Sequence, residues 1–78
     1  MVELRREEFE ILWHIEEGSG IPEGLVSFLD YSLEDIKDVF ILLHKYGLIH
    51  LETSGEYWTA KTTEKARDLY AQYEHWIP

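Results

Sequence analysis

Apolar residues recur at helical spacing from the start of the chain. Leu4, Ile11 and Ile15 share a stripe, Leu12 lies beside it, and Phe9 and Trp13 widen the arc. This predicts a first helix over 4–17, with Glu3, Glu7, Glu10, His14 and Glu17 on the opposite face and an Arg6–Glu10 pair one turn apart. Gly18-Ser19-Gly20 breaks the pattern. Pro22 suits the first position of a short second helix whose buried side is Leu25, Phe28 and Leu29. Asp30-Tyr31 turns the chain into Ser32, an N-cap with Asp35 three residues on. Leu33, Ile36, Phe40 and Leu43 then form one stripe, flanked by Val39 and Tyr46. Gly47 supplies a left-handed terminator, and Lys45 favours the negative end of that third helix.

Beyond Gly47 the period changes. Residues 48–53 and 57–62 read as two short strands joined through Thr53-Ser54-Gly55-Glu56, with Gly55 placed for a positive φ. Tyr57 and Trp58 point to opposite faces. One belongs to the core. The other is expected to pack on the last helix rather than stack on a nucleic-acid base. That helix is predicted over about 63–77, with Ala66, Leu69, Tyr70, Tyr73, Trp76 and Ile77 on one arc. So many large apolar residues exceed what a small domain needs to seal its edge. A homodimer contact through Leu69, Tyr70, Tyr73, Trp76 and Ile77 is expected, with packing on helix 1 near Phe9 and Trp13 as the alternative.

These spacings resemble winged helix-turn-helix domains of small archaeal and bacterial transcriptional regulators. Ile36, Phe40 and Leu43 followed by Gly47-Leu48-Ile49 are similar to the third helix and strand entry of that fold. Ile11-Leu12, Ile15, Gly18, Pro22, Leu25-Val26 and Leu29 are similar to its first two helices. Tyr57 to Arg67 resembles the second wing strand running into a Leu-Thr-x-x-Gly-Arg closing motif, departing from it at Thr62 and Ala66. The resemblance implies an α+β, mainly α chain: three helices, a two-stranded wing and an extra C-terminal helix. It places the helix-turn-helix at about 22–46 and the wing at about 48–62. It implies binding to double-stranded DNA, with helix 3 in the major groove.

Charge complicates that expectation. The 78 residues make one domain with a net charge of −9, whereas most DNA-binding domains are basic. Residues 1–31 hold eight acids against two bases, and residues 32–50 only three against two. The acid therefore gathers on the first two helices, as a solvated face or as a docking surface for a basic partner. On helix 3, Glu34, Asp38 and Lys45 point outward, with Ile41 and Lys37 to one side. Lys37, Lys45 and Lys61 are the candidate phosphate contacts, with Arg67 assisting, and Glu34, Asp38 and Ile41 share the candidate reading surface. Acids and isoleucine are poor groove readers. The wing tip carries Glu56 where a base is usual. The alternative is an acidic winged-helix module that docks on a basic protein surface, with Ile41 and Leu42 as apolar contacts.

No cofactor, metal or enzymatic activity is expected. There is no cysteine. His14, His44, His50 and His75 are scattered without ligand spacing. Gly18-Ser19-Gly20 lacks the preceding strand and following lysine of a phosphate loop. No apolar run reaches the ~20 residues of a membrane span and no signal-peptide pattern opens the chain, so a cytoplasmic protein is expected.

Overall fold

The computed structural model describes residues 3–78. Helix α1 spans Arg6–Glu16, α2 Pro22–Leu25 and α3 Leu33–Lys45. Strands β1 (Ile49–Glu52) and β2 (Thr59–Thr62) pair antiparallel, with Leu51 opposite Ala60. Helix α4 (Glu64–Leu69) leads into 3-10 turns over Tyr70–Trp76.

The long helices begin and end for local reasons. The Arg5 backbone N–H donates to Glu8 Oε1 at 2.8 Å, closing the start of α1, and Leu4 sits just before the helix while still burying its side chain. Ser32 Oγ accepts from the Asp35 N–H at 3.1 Å. Both helices stop in a Schellman motif. Gly18 (φ 108°) and Gly47 (φ 76°) take the left-handed position. The N–H groups of Ser19 and Leu48 then reach back to the carbonyls of His14 and Leu43.

Phe9, Ile11, Leu12 and Ile15 of α1 meet Ile36, Phe40 and Leu43 of α3, with Leu25, Leu48, Ile49, Ala66 and Leu69 closing the core. The beginning of α4 is fixed to the end of α3. Thr63 Oγ1 donates to the Gly47 carbonyl at 2.7 Å, and Lys65 Nζ donates to the Tyr46 carbonyl at 2.7 Å, so a cation faces the negative end of α3. Ala66, where the resembling motif has glycine, is fully buried.

Several expectations are corrected. Phe28 is not buried: α2 is a single turn anchored by Leu25, and Phe28 is 66% exposed, its ring stacked on His14. Arg6 and Glu10 do not pair, because Glu10 Oε1 accepts the Tyr31 hydroxyl at 2.9 Å. Gly55 has no positive φ, since a six-residue connection from Thr53 to Trp58 replaces the tight turn. Of the adjacent rings, Trp58 is the half-buried one and lies under Lys37 Nζ of α3 at 4.9 Å, while Tyr57 is 50% exposed. The α-helical part of the last segment ends at Leu69. Tyr70, Tyr73 and Trp76 are three residues apart, in two 3-10 turns that meet at Tyr73, and all three lie over one ring. That ring is Phe9, with centroids at 6.1, 5.3 and 5.9 Å. The Leu4 backbone N–H donates to the Tyr73 hydroxyl at 2.8 Å, and Tyr73 carries the non-helical kink.

The hairpin has a third neighbour that hydrophobic periodicity does not reveal. The Ala60 N–H donates to the Gly20 carbonyl at 2.8 Å, so the segment between α1 and α2 runs along the outer edge of β2. This edge contact positions the hairpin against α1.

Candidate nucleic-acid interface

Helix α3 exposes two chemically different flanks. Residues one turn apart share a flank. On the hairpin side stand Lys37, Ile41 and His44, with Lys45 at the outer crest. On the α1 side stand Asp35 and Asp38. Glu34 is exposed on the crest near the start of the helix, and Ile41 is 43% exposed. Leu42 is half-buried.

The four candidate phosphate contacts do not form one patch. Lys37 is drawn to the core-side face of the hairpin, over Trp58, and its Nζ lies 3.6 Å from Glu23 Oε2 of α2. Arg67 lies 3.8 Å from Glu16 Oε1. Lys61 stands on the solvent face of β2, opposite His50 of β1. A shallow depression of about 310 Å³ on that face joins Lys61 and His50 to His44 from the last turn of α3. His44 is held there by a 3.3 Å contact from Nδ1 to the Ile49 carbonyl. Lys45 is exposed in that same last turn and has no ion pair among the described residues. Of the four candidates, Lys45 and Lys61 are thus the ones without an ion pair among the described residues, and His44, His50 and the acid Glu52 stand close to Lys61. Neither histidine figured among the candidate residues. The signal for them was available: His50 alternates with the buried Ile49 and must face outward, and His44 follows Leu43 on α3.

Glu16 is a further residue the sequence did not single out. Its Oε1 accepts the Tyr70 hydroxyl at 2.8 Å and the Thr62 hydroxyl at 3.0 Å, beside Arg67. One carboxylate on α1 so ties β2 and the C-terminal segment together. The exposed Arg67 pair adds little, because solvent screens it. Burial, then the hydrogen bond to Glu16 and its charge, push the Tyr70 phenol above its ordinary value. Burial, followed by the hydrogen bond to and charge of Glu10, pushes Tyr31 up to about 12. Both groups hold their protons more tightly in the folded chain than in the unfolded one. Their contribution is therefore complete below about pH 10 and is lost as the pH rises through the folded values. Urea unfolding should show lower stability at about pH 11 than at about pH 8, and Tyr70→Phe should flatten that difference. An equal pH dependence in the variant would remove Tyr70 from this role.

The residues expected at a dimer contact are largely used within the chain. Leu69 is buried, and Tyr70, Tyr73, Trp76 and Ile77 are half-buried against the core, with Tyr70 also edge-on to Trp13 at 5.2 Å. A groove of about 310 Å³ remains between α1 and the C-terminal turns, walled by Trp13, Trp76 and Ile77.

No protein-family model matches the chain. No curated protein matches it either. Among solved structures it resembles an ArsR-like transcriptional regulator from Rhodococcus sp. RHA1, with a TM-score of 0.66 over 92% of this chain and 73% of that one, at 19% identity. The chain has the winged helix-turn-helix fold. Helices α2 and α3 are its helix-turn-helix, and the β1–β2 hairpin is its wing. Among the described residues of this winged helix, no helix is long and apolar enough to cross a membrane.

Proposed function

We propose that this winged helix is a transcriptional regulator that binds duplex DNA through the C-terminal half of α3 and the solvent face of the wing. The observation that supports it is the division of charge across α3. The hairpin-side flank carries Lys37, Ile41 and His44, Lys45 stands on the crest beside that flank, and the acids Asp35 and Asp38 line the groove toward α1. Lys45 and Lys61 supply phosphate contacts, with His50 as a hydrogen-bond donor between them, while the Nδ1–H of His44 is already given to the Ile49 carbonyl. Lys37 and Arg67, each held beside a carboxylate, act at the margins. Glu34 is the residue least suited to a phosphate-facing position, and Asp38 lies off the reading face.

So few free cations give weak non-specific binding and a shallow salt dependence, because each neutralised phosphate contributes a log–log slope of about −0.9. With a fluorescent random-sequence duplex at low salt, Lys45→Ala combined with Lys61→Ala should weaken binding at least ~10-fold and reduce the salt slope by roughly 2. Binding unchanged in the double variant would sink the proposed surface. The winged helix is further proposed to act as a homodimer, a second copy covering the groove at Trp13, Trp76 and Ile77. Light scattering on the same samples, free and DNA-bound, gives the stoichiometry, and a monomer in both states would remove the second copy.

A further inference from the structure

We infer that the groove between the first turns of α1 and α3 receives the cationic side chain of a basic segment from a protein partner. This site lies on the acidic flank of α3, away from the proposed DNA surface, and does not depend on DNA binding. The groove holds about 300 Å³. Its base is apolar: the buried Ile11 with the half-buried Val39 and Tyr31 ring. Its walls are carboxylates from both helices, Glu7 on one side and Asp35 and Asp38 on the other.

A solvated acidic face would be convex and polar throughout. This one is concave, with apolar surface beneath the charges. That combination matches a long aliphatic stem that ends in a cation, which is the form of arginine and lysine. The stem would cover Val39 and the Tyr31 ring while the head group donates charge-assisted hydrogen bonds to the carboxylates at the rim. The carboxylates at the rim remain available. Among the described residues neither Glu7 nor Asp38 has an ion pair, and the first turn of α1 is already closed by Glu8. Arg5 also borders the groove and offsets part of the charge, but the acids outnumber it. Nucleic acid is excluded as the occupant by like-charge repulsion. A basic protein segment brings charge complementary to a chain whose net charge is −9.

The test uses the full chain, ¹⁵N-labelled, titrated with the blocked tripeptide Leu-Arg-Leu and with Leu-citrulline-Leu, its neutral isostere. The arginine peptide should give saturable amide shifts centred on Ile11, Tyr31 and Val39, and should bind at least severalfold more tightly than the citrulline peptide. Glu7→Gln with Asp38→Asn should abolish that preference. Both side chains are exposed, so the unfolding temperature of this variant serves as the check that the fold is kept. Equal binding of the two peptides, or shifts spread without saturation over the other acidic surfaces, would overturn the proposal. So would loss of the peptide response on raising the protein concentration, which would give the groove to a second copy of the chain. Duplex DNA is absent throughout, so failure here and failure of the DNA proposal are read independently.

Discussion

Phe9→Ala should cost about 3–5 kcal/mol, the usual range for truncating a buried phenylalanine. In a domain of this size each kcal/mol lowers the unfolding temperature by about 4–8 °C, so a fall of roughly 12–40 °C is expected. The reason is the position of the ring. Phe9 is 1% exposed and touches Trp13, Tyr70, Tyr73 and Trp76. The 3-10 turns carry no fully buried side chain of their own and are held to the domain through this ring and two tyrosine hydroxyls. The damage should therefore begin at the C-terminus. Hydrogen exchange in a milder variant, Phe9→Leu, should accelerate first in residues 70–76 while α3 stays protected. Uniform acceleration, or an unchanged unfolding temperature in Phe9→Ala, would show that the aromatic cluster does not anchor the segment.

Gly20→Ala is expected to have the next largest effect, about 1–3 kcal/mol of destabilisation, as for other forced overpacking. A Cβ at residue 20 would run into the Ala60 carbonyl oxygen, which is backbone inside a paired strand and cannot rotate away. Relief requires the edge contact to open, and the Ala60 N–H then loses its partner. Gly24→Ala provides the control. It lies in α2 with open space around the added methyl, so the change should be neutral or stabilising by up to ~1 kcal/mol. Thermal unfolding of the two variants side by side decides the matter, and a Gly20→Ala protein as stable as the parent would mean that the close approach is not a constraint.

Much of this architecture was legible in the residues. The Ser32 cap and the Gly47 terminator each correspond to a contact made within a few positions, and the stripe through Ile36, Phe40 and Leu43 to a period local to one helix, which is why local pattern suffices. The Gly20–Ala60 contact joins backbone groups 40 residues apart and leaves no mark in hydropathy. Phe28 misled because apolarity predicts burial only while the helix continues, and α2 stops after one turn. The C-terminal segment was legible as a helix but not in its type. Positions 66, 69, 70, 73, 76 and 77 fit an α-helical stripe, and the change to 3-10 turns after Leu69 follows from the packing of three rings on Phe9, a contact more than 60 residues away in the chain. The candidate site was legible only in part. Lys45 and Lys61 could be named from the sequence, but the pairing of Lys37 with Glu23 and of Arg67 with Glu16 depends on which helices meet.

The backbone bond from Ala60 to Gly20 also bears on what happens when many copies of the chain are close together. A two-stranded ribbon ordinarily offers two rows of unsatisfied amide and carbonyl groups, and each can template the addition of another molecule's strand. Here the Ala60 amide in the outer row of β2 is taken by the Gly20 carbonyl, and on the other side the Ile49 carbonyl is met by the His44 ring. Neither side of the ribbon lies fully open for intermolecular pairing. Any change that frees the Gly20 segment should therefore appear as a tendency to form sheet-rich aggregates at concentrations where the parent stays dispersed, before it appears as loss of helix.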